Sequence, residues 1–428
     1  MKINKYESYI YAAFLLELLL FFFFRKKIDF ILSPILFTCV GIFIALFPIF
    51  KFDFLTVSVS QNPRKLKVGF FFSLILICIV FALWANYIFI KNPIDLKNSD
   101  IIPLINDVYI KRFMSGEFVY AKELGYGYGN WTPNYLPMHW LPFVISKMLT
   151  IDHRWIPFLF ILFSIVFYIK NLVLTTNDLR NICIKIILPF VVLFLIFLKQ
   201  SDALATTVEL LIAAYYFFLG VTLQHKSVLK KSIATTLTLL SRYVVIFYLP
   251  VAFLIEWFEG RKKLFLQIVF VFFAVLSIYV LPFLLQDSTI FIDGSLSYDI
   301  AALGEWKGQT WQNLGSDPWH LFQGLGFASW TYKFYHADLM SQIQFQKTAL
   351  FLFSFLSLGV SFLFVIKFKN KINSGVLHLA SLKLVLTFVF AFSLVPYVYL
   401  FWTSIFISIN VLSNYNLFSE KNKNFKNL

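Results

Sequence analysis

Charge is scarce in this chain. Asp, Glu, Lys and Arg make up 14% of its 428 residues, against 59% that are hydrophobic, a balance that excludes a water-soluble domain of this length. Cysteine is scarce as well. Cys39, Cys78 and Cys183 all lie inside apolar stretches, where they pack as small hydrophobes rather than build a disulfide framework or a metal site. The histidines His139, His153 and His320 lack metal-ligand spacing, so neither a metal nor another cofactor is expected. No Walker-type phosphate loop, no G-x-G-x-x-G opening a helix and no transporter-like repeat is present. The interval 286 to 346 holds no arginine at all.

What is abundant is apolar sequence in membrane-sized pieces. Runs occur at about 9–24, 28–50, 68–90, 155–174, 185–198, 203–223, 232–258, 264–285, 348–366 and 376–413, many of them near the ~20 residues that span a bilayer as a helix. Backbone groups in lipid must be satisfied internally, which excludes open sheets. The expected fold is therefore an all-α polytopic membrane protein, with the bilayer itself as a partner. The formal charge of +15 is that of a nucleic-acid binder, but Lys and Arg concentrate in short links between apolar runs, as membrane orientation requires. No nucleic-acid partner is expected. Lys2 and Lys5 precede the first run, Glu17 lies within it and no small-residue cleavage site follows, which predicts a retained first span.

The links also orient the chain. Lys226, Lys230 and Lys231 precede segment 232–258 and Arg261, Lys262 and Lys263 follow it. Basic links prefer the cytoplasm, so both flanks belong inside and the segment reads as a return hairpin with Arg242 near its tip. Run 376–413, with Pro396 inside it, reads as two helices meeting in a tight turn. Counting outward places two long polar intervals, about 91–153 and 286–346, on the outer side. The second carries Asp287, Asp293, Asp299, Glu305, Asp317 and Asp338. The Arg25-Lys26-Lys27 turn is the exception to the count, because a cytoplasmic N-terminus sends it outside.

Two outer intervals on one face are a place for chemistry on a lipid-linked substrate. Asp100, just past the span ending near Ile90, is either a general base or a helix N-cap ahead of Pro103. Asp107 and Glu117 are the other acidic candidates. Arg242 lies in an apolar stretch, where a cation needs a partner: a substrate phosphate, which its fork matches, or Asp202 or Glu209. The latter two are seven apart on one predicted helix and so share a face. Tyr135, within an aromatic run that includes Trp131 and Trp140, stacks on a sugar ring or belongs to an interfacial belt. Trp306, Trp311, Trp319 and Trp330 with several glycines suggest an ordered loop suited to an acceptor. Glu17 and Lys383 lie in spans far from this cluster and read as members of inter-helix pairs rather than catalytic groups.

These residues fall into a pattern. A span, Asp100 just outside it, a helix running into Gly116 and Tyr120, then Tyr135-Leu136-Pro137 and Leu141-Pro142 resembles the membrane glycosyltransferases of the GT-C superfamily, in particular the bacterial polyprenyl-phosphate-mannose type. Lys199-Gln200-Ser201-Asp202 resembles their G-Q-x-N turn, and Ser241-Arg242 followed by Leu249-Pro250 resembles their short return hairpin with a basic residue. Lys199 replaces the usual Gly, Arg242 the usual Lys, and the doubled proline is single at Pro137.

The resemblance implies a GT-C-like bundle of about 10–12 transmembrane helices with two large extracytoplasmic loops. It divides the chain into an N-terminal hairpin, 1–67, a catalytic module, 68–413, and a basic cytoplasmic tail, 414–428. It further implies inverting transfer of a hexose from a polyprenyl-phosphate donor to a lipid or glycan acceptor, outside the cytoplasmic membrane. Asp100 is then the base and Arg242 the holder of the donor phosphate. Gln200, Asp202, Tyr135, His139 and Glu117 are the other expected substrate-binding residues. The competing classes are a transporter or flippase, which distributes charge through repeated broken spans, and a polysaccharide polymerase or ligase, which relies on arginines and a histidine in a large outer loop.

Overall fold

Apolar runs of this length have no stable alternative to helix in lipid, and the chain folds accordingly. The computed structural model describes residues 5–50, 64–95, 101–126, 129–176, 179–308 and 317–417. Helix α1 (Lys5–Leu19) widens into a π turn, Leu20–Phe24, before the Arg25–Lys27 turn, and α2 (Leu32–Leu46) and α3 (Arg64–Lys91) follow. The next interval is not featureless. Short helices α4 (Ile102–Leu104) and α5 (Lys111–Ser115) are joined by a π segment, strands β1 (Glu123–Tyr126) and β2 (Gly129–Trp131) pair antiparallel, and α6 (Pro137–Trp140) and α7 (Phe143–Met148) lead to the bundle.

Helices α8 (Trp155–Thr175) and α9 (Leu179–Lys199) come next, then α10 (Ser201–Thr206), α11 (Glu209–Leu223), α12 (Val228–Leu239), α13 (Leu249–Glu259) and α14 (Arg261–Val275). The interval 286–346, expected as a loop, holds α15 (Ile290–Trp306) and α16 (Ala328–Phe334). Helix α17 (Leu339–Phe368) starts where Asp338 accepts from the Met340 and Ser341 amides at 3.0 and 3.1 Å, a side-chain N-cap. Helices α18 (Ser374–Ala391) and α19 (Leu400–Leu412) complete the chain, with Pro396 in the turn between them.

Among the described residues seven helices are long and apolar enough to cross a membrane, and α2, α11 and α19 are shorter apolar helices. Burial sorts them. The apolar window of α18 is 89% buried, whereas those of α17 and of the span Arg261–Leu284, which extends α14 through a π segment, are 22% buried; the first is central and the other two form an exposed apolar rim. Tyr216, Phe217, Trp402 and Phe406 fill the centre between α11 and α19. The backbones approach closely there because Gly220 faces Asn410, whose amide donates to the Phe217 carbonyl at 3.1 Å. Small residues and polar side chains hold helices together where no hydrophobic drive separates them from lipid.

The first two helices belong to the same core: Phe21 and Phe37 pack on Phe401. Lys383 donates to Glu17 at 2.5 Å and to the Ser404 hydroxyl at 2.7 Å, all far from water. Each was expected to pair between helices, and the two pair with each other.

Alternating helices collect two ends. At one, Gln224 bonds Ser413, Glu259 bonds Ser374, and Lys369 lies 3.6 Å over Phe258, which unites the Lys-rich links. The opposite, polar end gathers the two long intervals, with Tyr120 against Phe283, Asn134 against Gly294 and Arg25 against Gln323. Segment 232–258 makes the return hairpin that its basic flanks require: α12 and α13 meet at the basic end through Lys231 and Glu256, 2.5 Å apart. Run 203–223 departs from expectation. Thr207 is extended (φ −118°, ψ 166°), its hydroxyl donating back to the Ala203 carbonyl, so the β-branched Thr206-Thr207-Val208 stretch separates α10 from α11.

Candidate functional site

The tip of the return hairpin is where the candidate residues meet. Helix α12 stops because Ser241 bonds back to the Thr238 carbonyl at 2.8 Å and Arg242 swings into an extended conformation. A 3₁₀ turn, Tyr243–Phe247, then reverses the chain, and α13 restarts with Pro250 in its first turn, where the missing N–H costs nothing. Arg242 thus stands at the apex. Its guanidinium donates to the Glu209 carboxylate at the first turn of α11. Thr207 makes that turn, since its hydroxyl accepts from the Glu209 amide at 3.4 Å, and a carboxylate there also suits the helix dipole.

Helix α6 closes the site from the side. Leu136 is extended and Pro137 opens the helix; the Met138 amide donates to the Leu240 carbonyl at 2.8 Å, and the Tyr215 hydroxyl to the Met138 carbonyl at 3.3 Å. The Y-x-P stretch is thereby clamped between the hairpin tip and α11. His139 is buried, its Nε2 3.9 Å from Glu209 and its ring centroid 4.5 Å from that of Tyr135. Burial first, and then Arg242, push the His139 imidazole down to about 3, so it is neutral at ordinary pH. The phenols of Tyr135 and Tyr399 lie within electrostatic reach of Arg242.

Two buried polar atoms here, Arg242 Nε and His139 Nε2, have no hydrogen-bond partner among the described residues. Buried polar groups are normally satisfied, so the site holds hydrogen-bonding capacity that no described residue fills.

The other expected residues divide. Gln200 is buried at the break between α9 and α10; its Oε1 accepts from Trp402 Nε1 at 2.5 Å and its Nε2 has no partner among the described residues. Trp402 and Tyr399 share the first turn of α19, which brings Gln200 to the neighbourhood of Arg242. Asp202 is exposed while Glu209 is buried, so the two do not share a helix face; the helix break at Thr207 sets them apart, and of the two it is Glu209 that pairs with Arg242. Glu117 is exposed just past Gly116, whose φ of 74° ends α5. Asp107 is exposed as well. Asp100 lies outside the described residues. Tyr120 proves to be a positioning residue: its hydroxyl donates to the Tyr135 carbonyl at 2.8 Å and accepts from Trp140 at 3.2 Å.

Sequence reasoning missed a second polar pair at this end. His320 Nδ1 lies 2.7 Å from Glu305, whose other oxygen accepts from Tyr397 at 3.1 Å. Tyr397 stacks on Tyr399 at 5.2 Å, a chain of contacts toward Arg242. No local signal joins residues 305, 320 and 397; only folding does. No protein-family model, curated protein or solved structure matches this chain.

Proposed function

We propose that this protein is an integral membrane glycosyltransferase of GT-C type, moving a mannose-like hexose from a polyprenyl phosphate to a lipid or glycan acceptor. The observation that carries the reading is Arg242: a half-buried guanidinium at the apex of a return hairpin, its buried Nε without a partner among the described residues and aromatic rings beside it. A phosphate ester fits that edge, since the fork matches phosphate oxygens and keeps its charge. By the positive-inside rule the Lys-rich end faces the cytoplasm, which puts Arg242 and the polar intervals on the outer side.

In the proposed step the acceptor hydroxyl gives its proton to the Asp100 carboxylate as its oxygen attacks the anomeric carbon. The bond from that carbon to the phosphate oxygen breaks with inversion, and polyprenyl phosphate leaves with the electron pair. Arg242 stabilises the charge that develops on the leaving phosphate. Glu209 keeps the empty site neutral, and Tyr135 offers a ring face to the sugar.

The test is transfer of label from radiolabelled polyprenyl-phosphate hexoses in liposomes. Wild type and Asp107→Asn are expected to transfer, and Asp100→Asn is expected to lose at least 100-fold, the usual scale of a general base. Full activity in Asp100→Asn removes that residue from the mechanism, and absence of transfer from every donor removes the glycosyltransferase reading.

A further inference from the structure

At the polar end, the Arg25–Phe30 turn docks against residues 317–334. Four contacts fix it. Arg25 Nη1 donates to Gln323 at 2.7 Å, Ser33 Oγ to the Gly324 carbonyl at 2.7 Å, and Trp330 Nε1 to the Phe30 carbonyl at 3.3 Å. Gly324, at φ +71°, lies so close that a β-carbon would overlap the Arg25 carbonyl. Between the two segments is a cavity of about 290 Å³, whose lining includes Arg25, Lys26, Phe30, Asp317, Trp319 and Phe322, near the lower limit for small-molecule sites.

The chemistry of this cavity is specific. Lys26 Nζ sits 3.6 Å from the Trp319 ring centroid, and neither it nor Arg25 is in an ion pair among the described residues. The one carboxylate in the lining, Asp317, is already taken by Lys333 at 2.8 Å. Two adjacent cations therefore have no carboxylate partner among the described residues, Lys26 resting on one aromatic ring, at the end of the bundle opposite the Lys-rich links, where the orientation rule disfavours them. Trp319 keeps 42% of its surface exposed. An aromatic face holds a sugar ring, and paired cations hold an anion.

We propose that this cavity is a second binding site, for a hexose that carries a negative charge as phosphate or carboxylate. The proposal does not rest on glycosyl transfer; under that reading the site receives a charged glycan acceptor, but binding is measurable without a donor.

Equilibrium dialysis of labelled glucose 6-phosphate and glucuronate against the full chain in phosphatidylcholine nanodiscs tests it. Saturable binding of at least one is expected, at least tenfold weaker in Lys26→Gln and in Trp319→Ala, with glucose and inorganic phosphate at least tenfold weaker on the wild type. Nanodiscs of phosphatidylglycerol should leave the affinity within threefold. Equal binding of phosphate or of glucose, indifference to Lys26→Gln, or loss of binding in phosphatidylglycerol, which assigns the cavity to a lipid headgroup, each overturns the proposal. So does failure of both probes to bind.

Discussion

Arg242, at the apex of the return hairpin, donates to Glu209 at the start of α11, and this pair joins two elements that are 33 residues apart in the chain. A buried ion pair is a weak source of net stability, but removing one partner strands the other, at a cost of about 3–5 kcal/mol. Arg242→Gln alone should therefore lower the thermal unfolding temperature in detergent. The double variant Arg242→Gln/Glu209→Gln should recover most of that loss while leaving hexosyl transfer abolished. Recovery of transfer in the double variant would falsify a phosphate-binding role for Arg242.

Glu17 and Lys383 give the same experiment without a site nearby. Both side chains are fully buried, and Ser404 completes the lysine's contacts. Glu17→Gln is expected to destabilise by about 3 kcal/mol, and Glu17→Leu/Lys383→Met to be close to wild type. Thermal unfolding monitored by size-exclusion chromatography decides it. An unaffected Glu17→Gln protein means that the N-terminal hairpin is not held through this pair.

The helical bundle was largely legible in the sequence, because lipid allows one reading of a long apolar run and the basic links gather at one end of it. The return hairpin is a case in point: Lys226 to Lys231 and Arg261 to Lys263 leave no other topology for segment 232–258. What was not legible was pairing. Asp202 and Glu209 look alike as partners for Arg242 until Thr207 is seen to break the helix, and the β-branched run 206–208 was the available hint. Glu305, His320 and Tyr397 meet across 92 residues, and no periodicity encodes that. The helices of the second polar interval were hidden by its glycines and acidic residues, which resemble loop composition.

His139 makes stability depend on pH. Its imidazole titrates near 6.5 in the unfolded chain and is pushed down to about 3 by burial and Arg242. The sign follows: below 6.5 the unfolded chain binds a proton that the folded chain refuses. This contribution to stability is thus fully present above pH 6.5 and is lost as pH falls toward 3, by about 1.4 kcal/mol per unit. Melting curves between pH 4 and 7 should show a shallower acid loss in His139→Gln than in the wild type. Identical slopes would mean that His139 is solvated.

Gly324 tests the docked turn. Alanine there meets both a left-handed backbone, worth about 1–2 kcal/mol, and the Arg25 carbonyl. Gly324→Ala should lower the unfolding temperature and weaken glucose 6-phosphate binding together, because the turn that carries Arg25 and Lys26 must move. A stable variant with wild-type binding would show that the turn is not held at this point.

The charge of Lys26 sets the pH range of the second site. Burial, and then the neighbouring Arg25, push its ammonium down to about 8, while Asp317 faces it already engaged by Lys333. An anion binds only while Lys26 is charged, so affinity for glucose 6-phosphate should hold from pH 6.5 to 7.5 and fall as pH rises through 8. Bound anion opposes the loss of that proton, so at saturating ligand the midpoint should lie higher than at trace ligand. Lys26→Arg, which stays charged throughout this range, should bind with no such decline. Dialysis at pH 7 and 9 on the two proteins separates the cases: a decline retained in Lys26→Arg moves the titrating group elsewhere, with Lys333 the next to substitute.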